Sequence, residues 1–426
     1  MNSVAIGATR PVGSFHFRPY DGNVLRAARY LLIAVLSWVG LPVKAQIDPV
    51  ERRLIQVGYT ESLGGHAPLS GYAFYYSNDP EFVRSNLTLR LAVAPVYLDT
   101  ELGVRGALGP HTDLGFGFAG GGFADSYSEI RAGEFLPEES FLGHSAECSL
   151  SLYHLCNPTQ TIPLNYVLRG ALHYAFYQAD DDTAANFLLP QDHSTFVVRT
   201  GFRWGGQEPL LLPSLAMELS AWYEGEFRDH AGTYGFNDRK LESVSHRYWG
   251  QALLAYTLPG NGQSFRVSVT AGSSRAADRF DAYRLGALLP LVSEFPLALP
   301  GYYYQELSAQ RFALMGASYI FPLDARKRWG ANLTAATAYV DYLPGLEQPG
   351  GRWHSGVAGG ILYHLPQDTL KVLLVYAYGV DAIRGDSRGG HSLSVLLQLD
   401  WEHARTALFN PDRPGRWRGW QRIFGG

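Results

Sequence analysis

The sequence predicts an all-β chain, a transmembrane antiparallel β-barrel of about 16 strands. Three observations carry that prediction. Apolar and polar residues alternate with period two in segment after segment, as on a strand with one face in an apolar medium. The segments run to about 10 to 15 residues, against a mode near 5–6 in globular proteins, and aromatics gather at their ends. Connections alternate between short turns and long loops, the pattern of a barrel that crosses an outer membrane. Composition agrees. Of 426 residues only 17% are charged, below the roughly 25% of soluble domains. The chain holds 26 Tyr, 22 Phe, 9 Trp and 47 Gly, yet mean hydropathy is only −0.10. Outside one N-terminal stretch there is no run of about 18 apolar residues, which excludes a polytopic helical protein. The apolar content argues against a disordered chain.

That N-terminal stretch reads as an export signal. Arg26 and Arg29 precede the apolar run 30–43, and Val43, Lys44 and Ala45 form a small-residue cleavage site before Gln46. The run is short for a membrane span, so cleavage is expected rather than anchoring. The 23 residues ahead of it are unusual for a signal, which makes Val24 an alternative start. Removing residues 1–45, with five basic residues and one acidic, takes the formal net charge from −4 to −8. No basic stripe points to nucleic acid.

Strands are expected at 53–62, 71–78, 86–107, 113–128, 147–155, 164–178, 194–207, 215–229, 248–259, 264–277, 309–322, 330–343, 354–365, 369–382 and 392–402. In the third, Leu87, Leu89, Leu91 and Val93 alternate with Thr88 and Arg90. It is too long for one crossing, and Pro95 marks a break that raises fifteen segments to sixteen. In 196–204, Arg199 and Arg203 face away from Phe196, Val198, Phe202 and Trp204. In the next strand Leu215, Met217, Leu219, Ala221, Tyr223 and Phe227 oppose Glu218, Ser220, Glu224 and Glu226. Phe265, Val267, Val269 and Ala271 oppose Ser264, Arg266, Ser268 and Thr270. Leu393, Val395, Leu397, Leu399 and Trp401 oppose Ser392, Ser394, Gln398 and Asp400. Trp204, Trp222, Trp249, Trp329, Trp353 and Trp401 read as an interfacial girdle. Long loops are expected at 131–146, 179–193, 229–246 and 278–308. The barrel spans 46–403. A basic tail, 404–426, with Arg405, Arg413, Arg416, Arg418 and Arg422, reads as a solvated periplasmic segment or a lumen plug.

The polar faces predict a hydrated lumen of mixed charge, with Arg90, Arg169, Arg199, Arg203, Glu218, Glu224, Glu226, Arg266, Arg311 and Lys371 turned inward. Glu224 and Glu226 beside Arg199 and Arg203 form a cross-strand ladder. Catalytic patterns are weak. Gly143 to Glu147 and Gly390 to Ser394 both lack the final glycine of a nucleophile elbow. His144 with Ser145, and His354 with Ser355, are strand neighbours and point to opposite faces. Asp192 with His193, Asp229 with His230, and Asp180 to Asp182 lie in long loops, where a barrel protease or a cation or lipopolysaccharide bridge would place them, and where solvated polar residues are common. No H-x-x-x-H or C-x-x-C spacing occurs. Cys148 and Cys156 are separated by roughly 26 Å if their strand is continuous, too far for a disulfide or a shared metal, and read as small apolar fillers. No catalytic residue, metal or cofactor is assigned.

The C-terminal third carries a more specific pattern. The loop 278–308 contains Leu299, Pro300, Gly301 and Tyr302. Two strands after the loop begins comes Tyr339-Val-Asp-Tyr-Leu-Pro-Gly345, with Asp341 as its acid. Gly356 to Gly360, Val375 to Gly379, Gly389, Gly390 and a last strand ending in Trp401 follow. This segment resembles the barrel domain of the bacterial surface-antigen family, the outer-membrane assembly factors and two-partner secretion transporters. The resemblance implies a sixteen-stranded barrel whose long loop, between strands eleven and twelve, folds into the lumen with a V-R-G-F/Y motif. In the strand count above, the loop falls between ten and eleven. It also implies an acidic strand residue holding the motif arginine, here Asp341, and a terminal-strand signal, here Gly390, Leu397, Leu399 and Trp401. The motif arginine is replaced by Pro300, which leaves Asp341 to find another partner, with Arg311 the candidate. The family's periplasmic repeat domains are expected to be absent, because the predicted strands take up the chain after the export signal. The expected function is non-catalytic transport or insertion of a polypeptide or lipid at the outer membrane of a Gram-negative-type bacterium, after Sec-dependent export. Its expected partners are outer-membrane lipid, lipopolysaccharide and a separate periplasmic protein. The alternatives are a passive porin and an outer-membrane hydrolase.

Overall fold

In a computed structural model of the chain, the residues described are 50–207, 210–213, 215–365, 369–401 and 404. The export segment and the tail arginines Arg405, Arg413, Arg416, Arg418 and Arg422 lie outside them. The barrel strands follow one another antiparallel, each paired with the next barrel strand. In chain order the first half of all strands comprises β1 (Arg52–Ser62), β2 (Gly71–Pro80), β3 (Leu87–Ala94), β4 (Tyr97–Val104), β5 (Thr112–Gly121), β6 (Tyr127–Arg131), β7 (Glu134–Leu155), β8 (Leu164–Ala179), β9 (His193–Gly206) and β10 (Leu215–Arg228). The second half comprises β11 (Gly232–Tyr234), β12 (Arg239–Leu241), β13 (Val244–Thr257), β14 (Ser264–Arg275), β15 (Tyr283–Leu285), β16 (Leu307–Pro322), β17 (Trp329–Tyr342), β18 (Trp353–His364), β19 (Leu370–Arg384) and β20 (Ser387–Asp400).

Sixteen of these make the barrel. The short β6, β11, β12 and β15 belong to its loops. β1 pairs with β2 on one side and with β20 on the other, from Leu54↔Asp400 to Ser62↔Ser392. That pairing closes the ring and leaves no open edge to lipid. Pro95 does break the 86–107 segment: Pro95 and Val96 alone join β3 to β4. The added strand moves the long loop to its place between the eleventh and twelfth barrel strands, β14 and β16. Two boundaries differ most from expectation. The 113–128 segment ends as a barrel strand at Gly121, and the expected loop 131–146 is mostly strand, because β7 runs 22 residues and its first part pairs with β6.

Burial follows the alternation, inverted relative to a soluble protein. Leu172, Phe202, Leu219, Met315, Leu333 and Ile361 point outward and stay exposed, while Gln56, Ser151, Glu218, Asn332 and Ser394 point inward and are buried. An apolar belt around a polar interior is the arrangement lipid demands. This is an outer-membrane β-barrel. Turns of five to eight residues lie at one end, with both ends of the barrel, and the long loops lie at the other, together with the two-residue turns 95–96 and 385–386. By the rule for such barrels these are the periplasmic and extracellular ends.

The extracellular loops cover the mouth. Tyr127, Phe141, Phe187, Tyr234 and Leu241 form an apolar cluster drawn from four parts of the chain. Buried ion pairs rim it: Glu129 meets Arg131, Arg239 and Arg279, and Arg228 meets Asp278 and Asp281. Cys148 points outward from β7 and Cys156 sits in a turn. Both are free and exposed.

Candidate functional site: a loop seated in the lumen

The loop 276–306 turns into the barrel. Asp278 and Asp281 meet Arg228 at the mouth, Asp278 at 2.7 Å. Burial, with Asp281 beside it, pushes the Asp278 carboxyl up to about 6. Tyr283–Leu285 then pairs with Ala309, Ser308 and Leu307 of β16. Deeper in, Glu294 meets Arg199 at 3.7 Å and also contacts Arg203. Phe295 stands edge-on to Trp222 and Trp249, which stack on each other. Trp222 and Trp249 thus face the lumen and are no part of an interfacial girdle. Trp222 shares its parity with Ser220 and Glu224, and that signal was present in the sequence. Trp329 and Trp353 do stay exposed.

The loop returns through Leu299, Pro300, Gly301 and Tyr302. Leu299 and Tyr302 are fully buried. The turn rests on three wall glycines, one each from β18, β19 and β20. A Cβ on Gly356 would stand 2.1 Å from the Pro300 carbonyl oxygen, and one on Gly390 2.5 Å from that of Gly301. At Gly301, φ is +82°, and a Cβ there would lie 1.9 Å from the Gly379 nitrogen. Only glycine allows that backbone angle and that approach together.

Side chains lock the turn. The Tyr302 hydroxyl is hydrogen-bonded to Nδ1 of the buried His354 at 3.1 Å, and Tyr342 bonds the other ring nitrogen. Arg384 of β19 donates to both oxygens of Glu306, at 2.8 and 2.9 Å, and stacks over Tyr303. Tyr303 in turn donates to the Gly64 carbonyl in the first extracellular loop, at 3.0 Å. The resemblance implied a loop arginine held by a strand acid. The charges here are reversed, with the acid on the loop and the arginine on the wall.

Asp341 and Arg311 do lie together, as expected, but not in the lumen. Both lie on the outward face near the extracellular rim. Arg311 is exposed, with Nε 3.6 Å from Asp341, and Arg352 completes the group at 3.2 Å. Neither faces the loop. At the end of a strand, beyond the apolar belt, an outward charge is solvated, so alternation does not tell lumen from rim there.

The other predicted lumen charges are where alternation put them. Arg199 donates to Glu224 at 2.6 Å and Arg203 meets Glu218 at 3.4 Å. Of the expected ladder only Arg199 with Glu224 forms across β9 and β10: Arg203 pairs with Glu218 instead, and Glu226 is met by Arg247 of β13 at 2.6 Å, which also contacts Glu224. Arg266 donates to Gln207 at 3.1 Å. On the far side Arg90 meets Asp99 at 3.5 Å, and Arg169 meets Glu147 at 2.6 Å beside His173 and Asp125. Lys371 is buried on the lumen face of β19. Among the pairs weighed for catalysis, Asp229 and His230 touch at 2.8 Å in an exposed loop. Ser355 faces away from His354 and is hydrogen-bonded to Thr337 at 3.1 Å.

At the β1–β20 seam, Gln56 donates to Gln398 at 3.2 Å and Thr60 meets Ser394 at 2.8 Å. Gly390 serves the loop. Leu397 and Leu399 face lipid. The terminal aromatic is not part of the ladder: β20 ends at Asp400, and Trp401 follows it, half-buried. One contact had no sequence signal. The periplasmic turn after β9 folds inward so that the Leu211 amide donates to Gln398 at 2.7 Å, while Leu211 packs in one apolar cluster with Leu289 of the long loop.

No family model and no curated protein matches the sequence. Solved structures do match. CdiB from Acinetobacter baumannii superposes with a TM-score of 0.51 at 12% identity over 82% of this chain and 60% of that one. CdiB from Escherichia coli gives 0.52 at 11% identity over 88% and 71%. BamA from Haemophilus ducreyi lacking POTRA domains 1–3 gives 0.50 at 11% identity over 87% and 78%. This chain thus spans 60% of the length of the Acinetobacter protein. What it shares with all three is the barrel fold.

Proposed function

We propose that this barrel passes a polypeptide or lipid through, or inserts it into, the outer membrane without catalysis, and that loop 276–306 is its movable plug. The observation that carries the reading is the seat of the loop. It enters between the eleventh and twelfth barrel strands and is held at its tip by glycines of the last three strands. Leu285, Leu289, Leu299 and Tyr302 of the loop pack in apolar clusters with the wall, and glycine contacts and a few polar locks hold the tip, so the plug leaves its seat only when these are released as a set. In this reading residues 1–45 are removed on Sec-dependent export, and 404–426 lie in the periplasm. A separate periplasmic partner delivers the client, and lipid and lipopolysaccharide surround the wall.

The test is conductance in planar bilayers. The intact protein should be nearly closed, with brief flickering openings, and deletion of 287–303 should give a steady large conductance. A steady large conductance from the intact protein would overturn the plug and favour a porin. Lipase or protease activity lost on changing His230 or Asp229 would favour a hydrolase.

A further inference from the structure

A cavity of about 310 Å³ lies between the loop and the wall made by β9, β10, β13 and β14. That size falls at the lower end of small-ligand sites. At interior packing density it would hold roughly a dozen non-hydrogen atoms. Its lining is divided. Arg199, Glu224 and Arg247 come from the wall and Arg284 from the loop, while Trp249, Phe295 and Leu289 make it apolar elsewhere.

The polar groups on this lining are unevenly matched. Arg247 Nε, Arg284 Nε and Trp249 Nε1 are buried without a hydrogen-bond partner. All three are donors, and a buried donor left unpaired is costly. Arg199 and Arg247 have carboxylates beside them. Arg284 has none among the described residues: it donates to the Ser128 carbonyl at 2.7 Å and stacks on Tyr127. A group that accepts hydrogen bonds and carries negative charge would answer both deficits, and the aromatic walls would bury an apolar body attached to it.

We propose that this cavity binds a small amphiphilic carboxylate, its head near Arg284 and Arg247 and its body against Trp249 and Leu289. Because Arg284 and Leu289 belong to the loop and Arg247 and Trp249 to the wall, the bound acid ties the plug in place. The proposal does not depend on what the barrel transports.

The test is titration calorimetry on the folded full chain in lipid nanodiscs, with empty nanodiscs subtracted. Octanoate and 3-phenylpropanoate serve as aliphatic and aromatic probes, with 1-octanol and 3-phenylpropan-1-ol as their uncharged counterparts. At least one acid should bind, its alcohol at least tenfold more weakly. Arg284→Gln should weaken the acid tenfold or more. Val292→Trp, which fills the cavity from the loop, should abolish binding. Preference for octanoate would indicate a fatty-acyl source, and preference for 3-phenylpropanoate a soluble aromatic acid. Failure of both acids, equal binding by the alcohols, or unchanged binding in Arg284→Gln would overturn the proposal and leave a water-filled cavity. Heat-modifiable migration on gels checks that each variant has folded, and Val292→Trp decides alone if Arg284→Gln has not.

Discussion

On β18, β19 and β20 the loop meets the wall backbone to backbone across Gly356, Gly379 and Gly390. On β9, β10 and β13 it meets Arg199, Arg203, Trp222 and Trp249 through Glu294 and Phe295. The first contact has no slack. A single methylene at a 2.1 Å approach has nowhere to go, because the opposing atom is a carbonyl and not the end of a flexible chain. The second is made of long side chains in a partly hydrated space, where Glu294 is 49% exposed, so its partners can shift and salt can screen them. One half of the wall fixes the position of the plug, and the other keeps it compatible with water.

Substitutions can break that contrast. Gly356→Leu should have the largest effect, driving the turn at Pro300 off its seat and converting a closed barrel to a steadily conducting one in planar bilayers. If Gly356→Leu stays closed, the glycine seat does not hold the plug. Arg384→Ala leaves Glu306 buried without its partner, at an expected cost of about 3–5 kcal/mol. Limited proteolysis of the loop should rise steeply, and the effect should not add to that of Glu306→Gln. Glu294→Gln on the charged half should cost only about 0–1 kcal/mol, and high salt should reproduce its slight increase in flickering. A loss as large as that from Arg384→Ala would mean that the two halves are alike.

The smallest effect concerns pH. The Asp278 carboxyl titrates at about 6 in the folded protein, above the roughly 4 of an unfolded chain. The folded state holds that proton more tightly, so this group's contribution to stability falls as pH rises from about 4 through 6. Asp278→Asn should flatten that part of the pH dependence of Tm, measured by gel migration between pH 4 and 6.5.

Much of this was legible in the sequence, and the reason is geometric. Alternation reports which way a strand residue faces, so Glu218, Glu224, Arg199 and Arg266 were placed correctly, and Pro95 marked the strand break that puts the loop in position. Alternation carries no information about what lies across the lumen. Glu306 and Arg384 are 78 residues apart, and Leu211 and Gln398 are 187 apart. Neither pair follows any repeat. Pro300 in place of the motif arginine showed that the lock had changed, but not that its polarity had reversed. At the rim the two-sided rule lapses, so Arg311 was assigned inward on a signal that no longer applied, while Asp341 was assigned to the loop from the resemblance alone.

The seat of the loop also bears on the order of assembly. Gly64, which accepts from Tyr303, precedes the loop, but the residues of the last strands that grip its tip, His354, Gly356, Gly379, Arg384 and Gly390, all come after it. The closing pair is later still, since Gln56 waits for Gln398, 342 residues on. Pairings so distant in sequence are slow to form. The loop tip is thus present as a surface on which the last three strands can be laid down while the ring is still open. Refolding into liposomes should therefore slow when Gly301 is replaced, even though Gly301 lies in no barrel strand.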